Sequence, residues 1–165
     1  MLLGILSDIH DHFEHAEKAA AALRARNVEK IILLGDYCSP GGIRPLAELK
    51  GIPGVGILGN NDGDIFDLQG AFHEFGWTLA REFSATEVDG KRIAVYHGTI
   101  QQITDALVAC GTYDIVLSGH THQALITQQS NTLFFNPGTV HGSGKRATCG
   151  VVDTEKRAAE VIDLD

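Results

Sequence analysis

Five apolar runs of strand length constrain this chain more than any other feature: LLGIL at 2–6, KIILL at 30–34, VGIL at 55–58, RIAVY at 92–96 and DIVL at 114–117. Each stops at polar residues of a restricted kind. The first leads into Ser7-Asp8-Ile9-His10, the second into Gly35-Asp36 and the third into Gly59-Asn60-Asn61-Asp62. The fourth leads into His97-Gly98, and the fifth into Ser118-Gly119-His120-Thr121-His122. Open α/β sheets bind their ligands beyond the carboxyl ends of the strands, and packing offers no reason for five strands to finish this way. An α/β chain whose strand ends converge on one site is the expectation.

Helical patterns separate several of these runs. Phe13, Ala16, Ala20 and Leu23 recur at helical spacing within HFEHAEKAAAALRAR, 12–26. The stretch ITDALVACG, 103–111, predicts a second helix closed by Gly111, and IRPLAELKG, 43–51, a short one. Later segments read as hairpins: SATEVDGKRIAVYHG turning at Asp89-Gly90, ALITQQSNTLFFNPG turning near Ser130-Asn131, and CGVVDTEKRAAEVIDLD. A β-α-β first half followed by hairpins points to α/β layers built on two sheets, not one doubly wound sheet. At 165 residues, one domain spanning 1–165 is expected.

The residues at the strand ends narrow the chemistry. Asp8, His10, Asp36, Asn60, His97, His120 and His122 offer oxygen and imidazole nitrogen with no thiolate. That mixture suits borderline divalent metals such as manganese, iron, cobalt, nickel or zinc, and suits calcium or structural zinc poorly. Seven ligands exceed what one catalytic metal with an open position takes. They suit two metals ~3.5–4 Å apart that share a carboxylate. Residues i and i+2 of an extended chain face the same side, so His120 and His122 can straddle a metal pair while Asp8 and His10 chelate from the other side. The competing reading, that His120 and His122 are ordinary surface-loop residues, does not account for the other four strand ends.

As an ordered set, SDIH, GDY, GNND, HG and GHTH resemble the motifs of the calcineurin-like metallophosphoesterases, and NPGT at 136–139 matches a further element of their small bacterial and archaeal phosphodiesterase branch. The motifs span residues 7 to 139. The resemblance implies a four-layer α/β sandwich, two mixed β-sheets packed face to face and flanked by helices. It also implies that Asp8, His10 and His122 take one divalent ion and Asn60, His97 and His120 the other, with Asp36 bridging; manganese is the first choice. The implied activity is hydrolysis of a phosphate ester by metal-activated hydroxide, a phosphodiester before a monoester, with Asp36, Asn60 and His97 central to it.

One position departs from the family pattern. Many relatives carry a histidine where this chain has Asn61, and an amide cannot serve as a proton donor to a leaving group. His12, two residues past His10, and His141, just after NPGT, are the candidates to replace it. Asp62 is expected to orient its loop. Cys38 reads as a small buried thiol, Arg44 as a solvated arginine or a phosphate contact, and His15 and His73, on helix-like stretches, as structural or surface residues. The stretches Gly63–Phe66 and Gln69–Phe72 read as pocket walls or core.

The remaining features exclude other classes. Cys38, Cys110 and Cys149 form no CxxC or zinc-finger spacing and read as reduced thiols of a cytoplasmic protein. The start lacks the basic leading segment of a signal peptide, and no apolar run approaches the ~18 residues of a membrane span. A net charge of −8 disfavours a nucleic-acid partner and is compatible with bound cations. The expected substrate is a small or exposed phosphate ester. The alternative from another class is a protein-binding scaffold like the related retromer subunit, although such drift should erode a ligand set that is intact here.

Overall fold

A computed structural model describes residues 1–142 and 144–165. The first strand, β1 (Leu2–Leu6), is followed by α1 (Phe13–Ala25), β2 (Lys30–Leu33), a short helix α2 (Pro40–Ile43) that runs into a 3₁₀ turn, and β3 (Gly54–Gly56). Next come α3 (Ile65–Glu74), β4 (Thr78–Leu79), the hairpin β5 (Phe83–Val88) and β6 (Lys91–Tyr96), α4 (Gln101–Ala109) and β7 (Ile115–Leu117). Two further hairpins close the chain: β8 (Ala124–Gln129) with β9 (Thr132–Pro137), and β10 (Thr148–Asp153) with β11 (Ala158–Asp163).

The strands form two mixed sheets. One has the order β11-β10-β1-β2-β3-β4, with β1 to β4 parallel and β10 antiparallel to β1. The other has the order β5-β6-β7-β9-β8, parallel through β6, β7 and β9, with antiparallel edges. Alternation along β1 shows how they stack. Leu3 and Ile5 join Ile32, Val95, Leu117 and Phe135 in the core between the sheets. Leu6 faces the opposite way, into the core that Ala16, Ala20 and Leu23 of α1 and Phe72 of α3 build on the outside. On the far side Val108 of α4 covers Ala94 and Val116. Helices, sheet, sheet and helix make the four-layer α/β sandwich that the resemblance implies, built on the two sheets that the strand and hairpin pattern predicts.

Three local readings need correction. The buried face of α1 is Ala16, Ala19, Ala20 and Leu23, and Phe13 is 55% exposed at the start of the helix, over Gly41. The second predicted helix begins two residues early, at Gln101, and ends with Gly111 at a φ of +68°, the left-handed residue that closes a helix without a Cβ penalty. The expected short helix at 43–51 is split between α2 and the 3₁₀ turn, with Pro40 and Pro45 each opening a turn. Among the described residues no helix is long and apolar enough to cross a membrane.

Candidate metal centre

The loops that follow β1, β2, β3, β6 and β7 meet where the two sheets come together, and backbone hydrogen bonds fasten them. The amides of Asp8 and His10 donate to the carbonyls of Gly35 and Asp36, at 3.1 and 3.0 Å, so the first loop runs beside the second. The amide of Gly119 donates to the His97 carbonyl at 2.8 Å. The loops of the two sheets are also joined, the His120 amide donating to Asp8 Oδ2 at 3.0 Å. Gly119 permits this approach, because a Cβ there would collide with Ser7 Oγ and crowd Asp8 Oδ2.

The backbone at these turns is unusual. Asp8, His10, Asp36, His120 and His122 all have φ between +46° and +66°. Non-glycine residues seldom occupy this region, and each costs of order 1–3 kcal/mol that the surroundings must offset. Such strain collects at sites that need side chains aimed in a particular direction. Here it turns them toward one point.

Two groups that could each hold a metal ion result. Asp8, His10 and His122 present atoms within 4.8 Å of one another, and Asp36, His97 and His120 do the same. The groups adjoin through Asp36, whose Oδ2 lies 3.6 Å from His10 Nε2 and 3.3 Å from His97 Nε2. His122 Nε2 sits 3.0 Å from Asp8 Oδ1 and 3.3 Å from His10 Nε2. Asp8 Oδ1 and His97 Nε2 are buried without a hydrogen-bond partner among the described residues. Buried polar atoms normally find partners, and two orphans facing a cluster of imidazoles fit a cation. The donor set of carboxylate oxygen and imidazole nitrogen suits divalent metal ions.

Neighbours orient these ligands. His97 Nδ1 donates to the Leu34 carbonyl at 2.6 Å, which leaves Nε2 free toward Asp36. The Cys38 sulfur lies 3.3 Å from His10 Nδ1 and does the same for that ring. Burial, aided by nearby carboxylates, pushes the Cys38 thiol up to about 11, so in the metal-free protein it stays protonated. Burial would raise the Asp36 carboxyl, yet the His97 ring beside it and the two donors of Asn61 hold it well below the usual carboxylate range. Asp8 is lowered too, against its burial, by His10, His97 and Ser7. His10 is raised by Asp8, and His97 is raised by Asp36 in spite of burial.

The other predicted residues fall as follows. Asn60 is exposed, with its Oδ1 3.4 Å from Thr99 Oγ1, on the loop beside His97. Asn61 donates from Nδ2 to Asp36 Oδ2 at 2.7 Å and from its backbone to Asp36 Oδ1 at 2.9 Å, so it holds the carboxylate. Asp62 accepts four backbone amides, from Asp36, Tyr37, Cys38 and Gly59, at 2.7 to 2.9 Å. It fastens the second loop to the third.

His12 caps α1, its Nδ1 accepting from the His15 amide at 3.3 Å. The His141 ring lies 5.6 Å from that of His10 and 5.5 Å from that of His12, at the edge of the first group. His15 bonds the carbonyls of Val140 and His141, and His73 is exposed on α3. Arg44 is exposed in a groove with Phe13, Glu17, Gly41 and Pro45 that contains none of the seven ligand candidates.

Residue reasoning left the NPGT segment without a task, and the structure supplies one. Asn136 Nδ2 donates to the Gly119 carbonyl at 2.8 Å and to Thr121 Oγ1 at 3.1 Å, which braces the loop carrying His120 and His122. Thr139 Oγ1 and the His141 amide both donate to the Asp8 carbonyl, each at 3.0 Å. One buried segment thus supports both ligand-bearing loops.

Comparison with known proteins supplies the family. The model of the calcineurin-like phosphoesterase superfamily domain matches residues 1–157. Phosphodiesterase MJ0936 of Methanocaldococcus jannaschii is 31% identical over 167 residues, covering all of both chains. A solved structure of an archaeal phosphodiesterase superposes with a TM-score of 0.91 at 31% identity, over 99% of each chain. A zinc complex of Vps29 from Entamoeba histolytica, 15% identical, shares the fold with a TM-score of 0.70 over the whole of both chains. The chain belongs to the calcineurin-like phosphoesterase superfamily.

Proposed function

We propose that the chain is a metal-dependent phosphodiesterase. Asp8, His10 and His122 hold one divalent cation, Asn60, His97 and His120 hold a second, and Asp36 stands between them. The observation that carries this reading is Asp36 Oδ2, within 3.6 Å of an imidazole nitrogen from each group. Manganese is the preferred metal, with iron, nickel, cobalt or zinc as substitutes. Unpaired Cys38, Cys110 and Cys149 support a reducing, cytoplasmic setting. Similarity to phosphodiesterases along the full length favours a diester over a monoester.

When bound, two such cations lower the pKa of a water and neutralise phosphoryl oxygens. The chain's own groups position and hold. His97 and His10 are fixed by Leu34 and Cys38, and Asn61 fixes Asp36. Asn61 has no proton to give, so we assign leaving-group protonation to His141, at the edge of the first group, or to His12, which packs against His141. Replacing the responsible histidine with alanine should slow diesters of alkyl alcohols by roughly 10²–10⁴-fold. It should scarcely affect 4-nitrophenyl esters, whose leaving group needs no proton. An equal loss on both kinds of ester removes the assignment.

The test of the function is hydrolysis of bis(4-nitrophenyl) phosphate and 4-nitrophenyl phosphate by metal-stripped protein, with Mn²⁺, Ni²⁺, Co²⁺, Zn²⁺ and Mg²⁺ restored in turn. Metal-dependent turnover that favours the diester is expected, and Asp36→Ala and Asn60→Ala should each abolish it. Metal binding without turnover of either ester would point to a protein-binding role on the same fold.

A further inference from the structure

A cavity of about 260 Å³ opens beside the second ligand group, walled by Leu58, Asn60, Glu82, Tyr96, His97 and Ile100. Asn60 and His97 belong to it and to the proposed metal site, so a phosphate held at the metals has this space next to it. Its surfaces are of two kinds. Leu58 and Tyr96 are buried apolar side chains, and Ile100 is half exposed at the mouth. Glu82 is exposed and has no ion-pair partner among the described residues. The backbone amide of Ile100 donates to Tyr96 Oη at 3.1 Å, which ties the mouth to the wall.

Resting on the phosphodiesterase reading, we infer that this cavity is the subsite for one ester substituent of the substrate, and that it selects an uncharged, ring-sized group. Three features argue for that class. An apolar cavity of ~150 Å³ accepts benzene, so this volume takes a ring with substituents. Leu58, Tyr96 and Ile100 reward apolar surface, as ligand pockets generally do. Glu82 has no ion-pair partner among the described residues and sets a negative charge on the wall away from the phosphate, so it disfavours a substituent carrying a carboxylate or a further phosphate. The substrate class is therefore a diester with its one negative charge at the phosphate and a neutral cyclic group on one side.

The test uses the full chain loaded with Mn²⁺ and three diesters that share the 4-nitrophenyl group and differ in the other: methyl, phenyl and carboxyphenyl. Wild type should favour phenyl over methyl by at least about tenfold in kcat/KM, chiefly through KM, since even one methylene in an apolar pocket is worth ~10-fold. Ile100→Asp should shrink the phenyl-to-methyl ratio, and Ile100→Leu should retain it. Glu82→Gln should narrow the gap between phenyl and carboxyphenyl esters. Equal use of phenyl and methyl esters, or ratios unmoved in Ile100→Asp, would overturn the subsite, and a gap unmoved in Glu82→Gln would remove Glu82 from it. Calorimetric titration with phenyl phosphate and methyl phosphate separates the subsite from the activity. If no diester is hydrolysed, the phosphodiesterase reading fails. Tighter binding of phenyl phosphate that weakens in Ile100→Asp would still support the cavity, and equal binding would refute it.

Discussion

Asp62 illustrates how much of this site depends on residues that touch no substrate. Its carboxylate gathers the amides of Asp36, Tyr37, Cys38 and Gly59, which have no other fixed partner in that turn. Asp62→Ala strands donors that cost about 1–3 kcal/mol each when buried and unsatisfied. A loss of about 3 kcal/mol or more follows, or roughly 6–12 °C in Tm for a chain of this size, with metal affinity reduced ~10–100-fold. Thermal melts with and without Mn²⁺ check both numbers, and Asp62→Asn, which keeps an acceptor, should recover part of each. At this scale the sequence was informative because the ligand types, Asp, His and Asn at strand ends, have no packing use. It was silent on the left-handed backbone of Asp8, His10, Asp36, His120 and His122. That conformation comes from contacts between loops distant in the chain, and no local pattern encodes it.

Elements were legible where turn chemistry marks them. Asp89 and Gly90 both have positive φ, the geometry that two-residue hairpins require, and the hairpin they join lies where the sequence puts it. The helix α3 shows in the sequence only as a helix-like stretch at His73. Gly70 interrupts its pattern, Phe66 is 87% exposed, and the Asp64 side chain makes no capping bond. Its identity comes from Leu68, Ala71 and Phe72 packing on the outer core, which only the tertiary fold supplies. The two-residue strand β4 is too short for any periodicity. The NPGT segment adds a prediction at this level. Asn136→Ala removes the bonds to Gly119 and Thr121 and strands the buried Gly138 amide, which donates to Asn136 Oδ1 at 2.9 Å, so the loop carrying His120 and His122 should loosen. Stability should fall by about 1–3 kcal/mol and metal affinity by ~10–100-fold. Urea melts and Mn²⁺ titration measure the two, and unchanged metal affinity would mean that the loop does not need this brace.

Across the whole molecule, the two sheets each supply part of one charged cluster, so folding and the ionisation of that cluster are linked. In metal-free protein Asp8 and Asp36 are lowered, and their contribution is present above the unfolded carboxylate value of ~3.9 and lost as pH falls through their folded values. His10 and His97 are raised, and their contribution is complete below the unfolded histidine value of ~6.5 and lost as pH rises through their folded values. The metal-free protein should therefore be most stable between about pH 4 and 6.5 and weaken toward pH 8. Metal needs neutral imidazole, so Mn²⁺ binding strengthens with pH. Melting at pH 5.5 and 8, with chelator and with Mn²⁺, should show opposite trends, and identical trends would mean that the cluster is not where the metal acts.

The pairing of two cations around Asp36 is the central claim, and anomalous diffraction from crystals of the Mn²⁺-loaded protein tests it most directly. The account predicts two peaks ~3.5–4 Å apart, one among Asp8, His10 and His122, the other among Asn60, His97 and His120, with the Asp36 carboxylate touching both. A single peak, or metal bound away from Asp36, would contradict it.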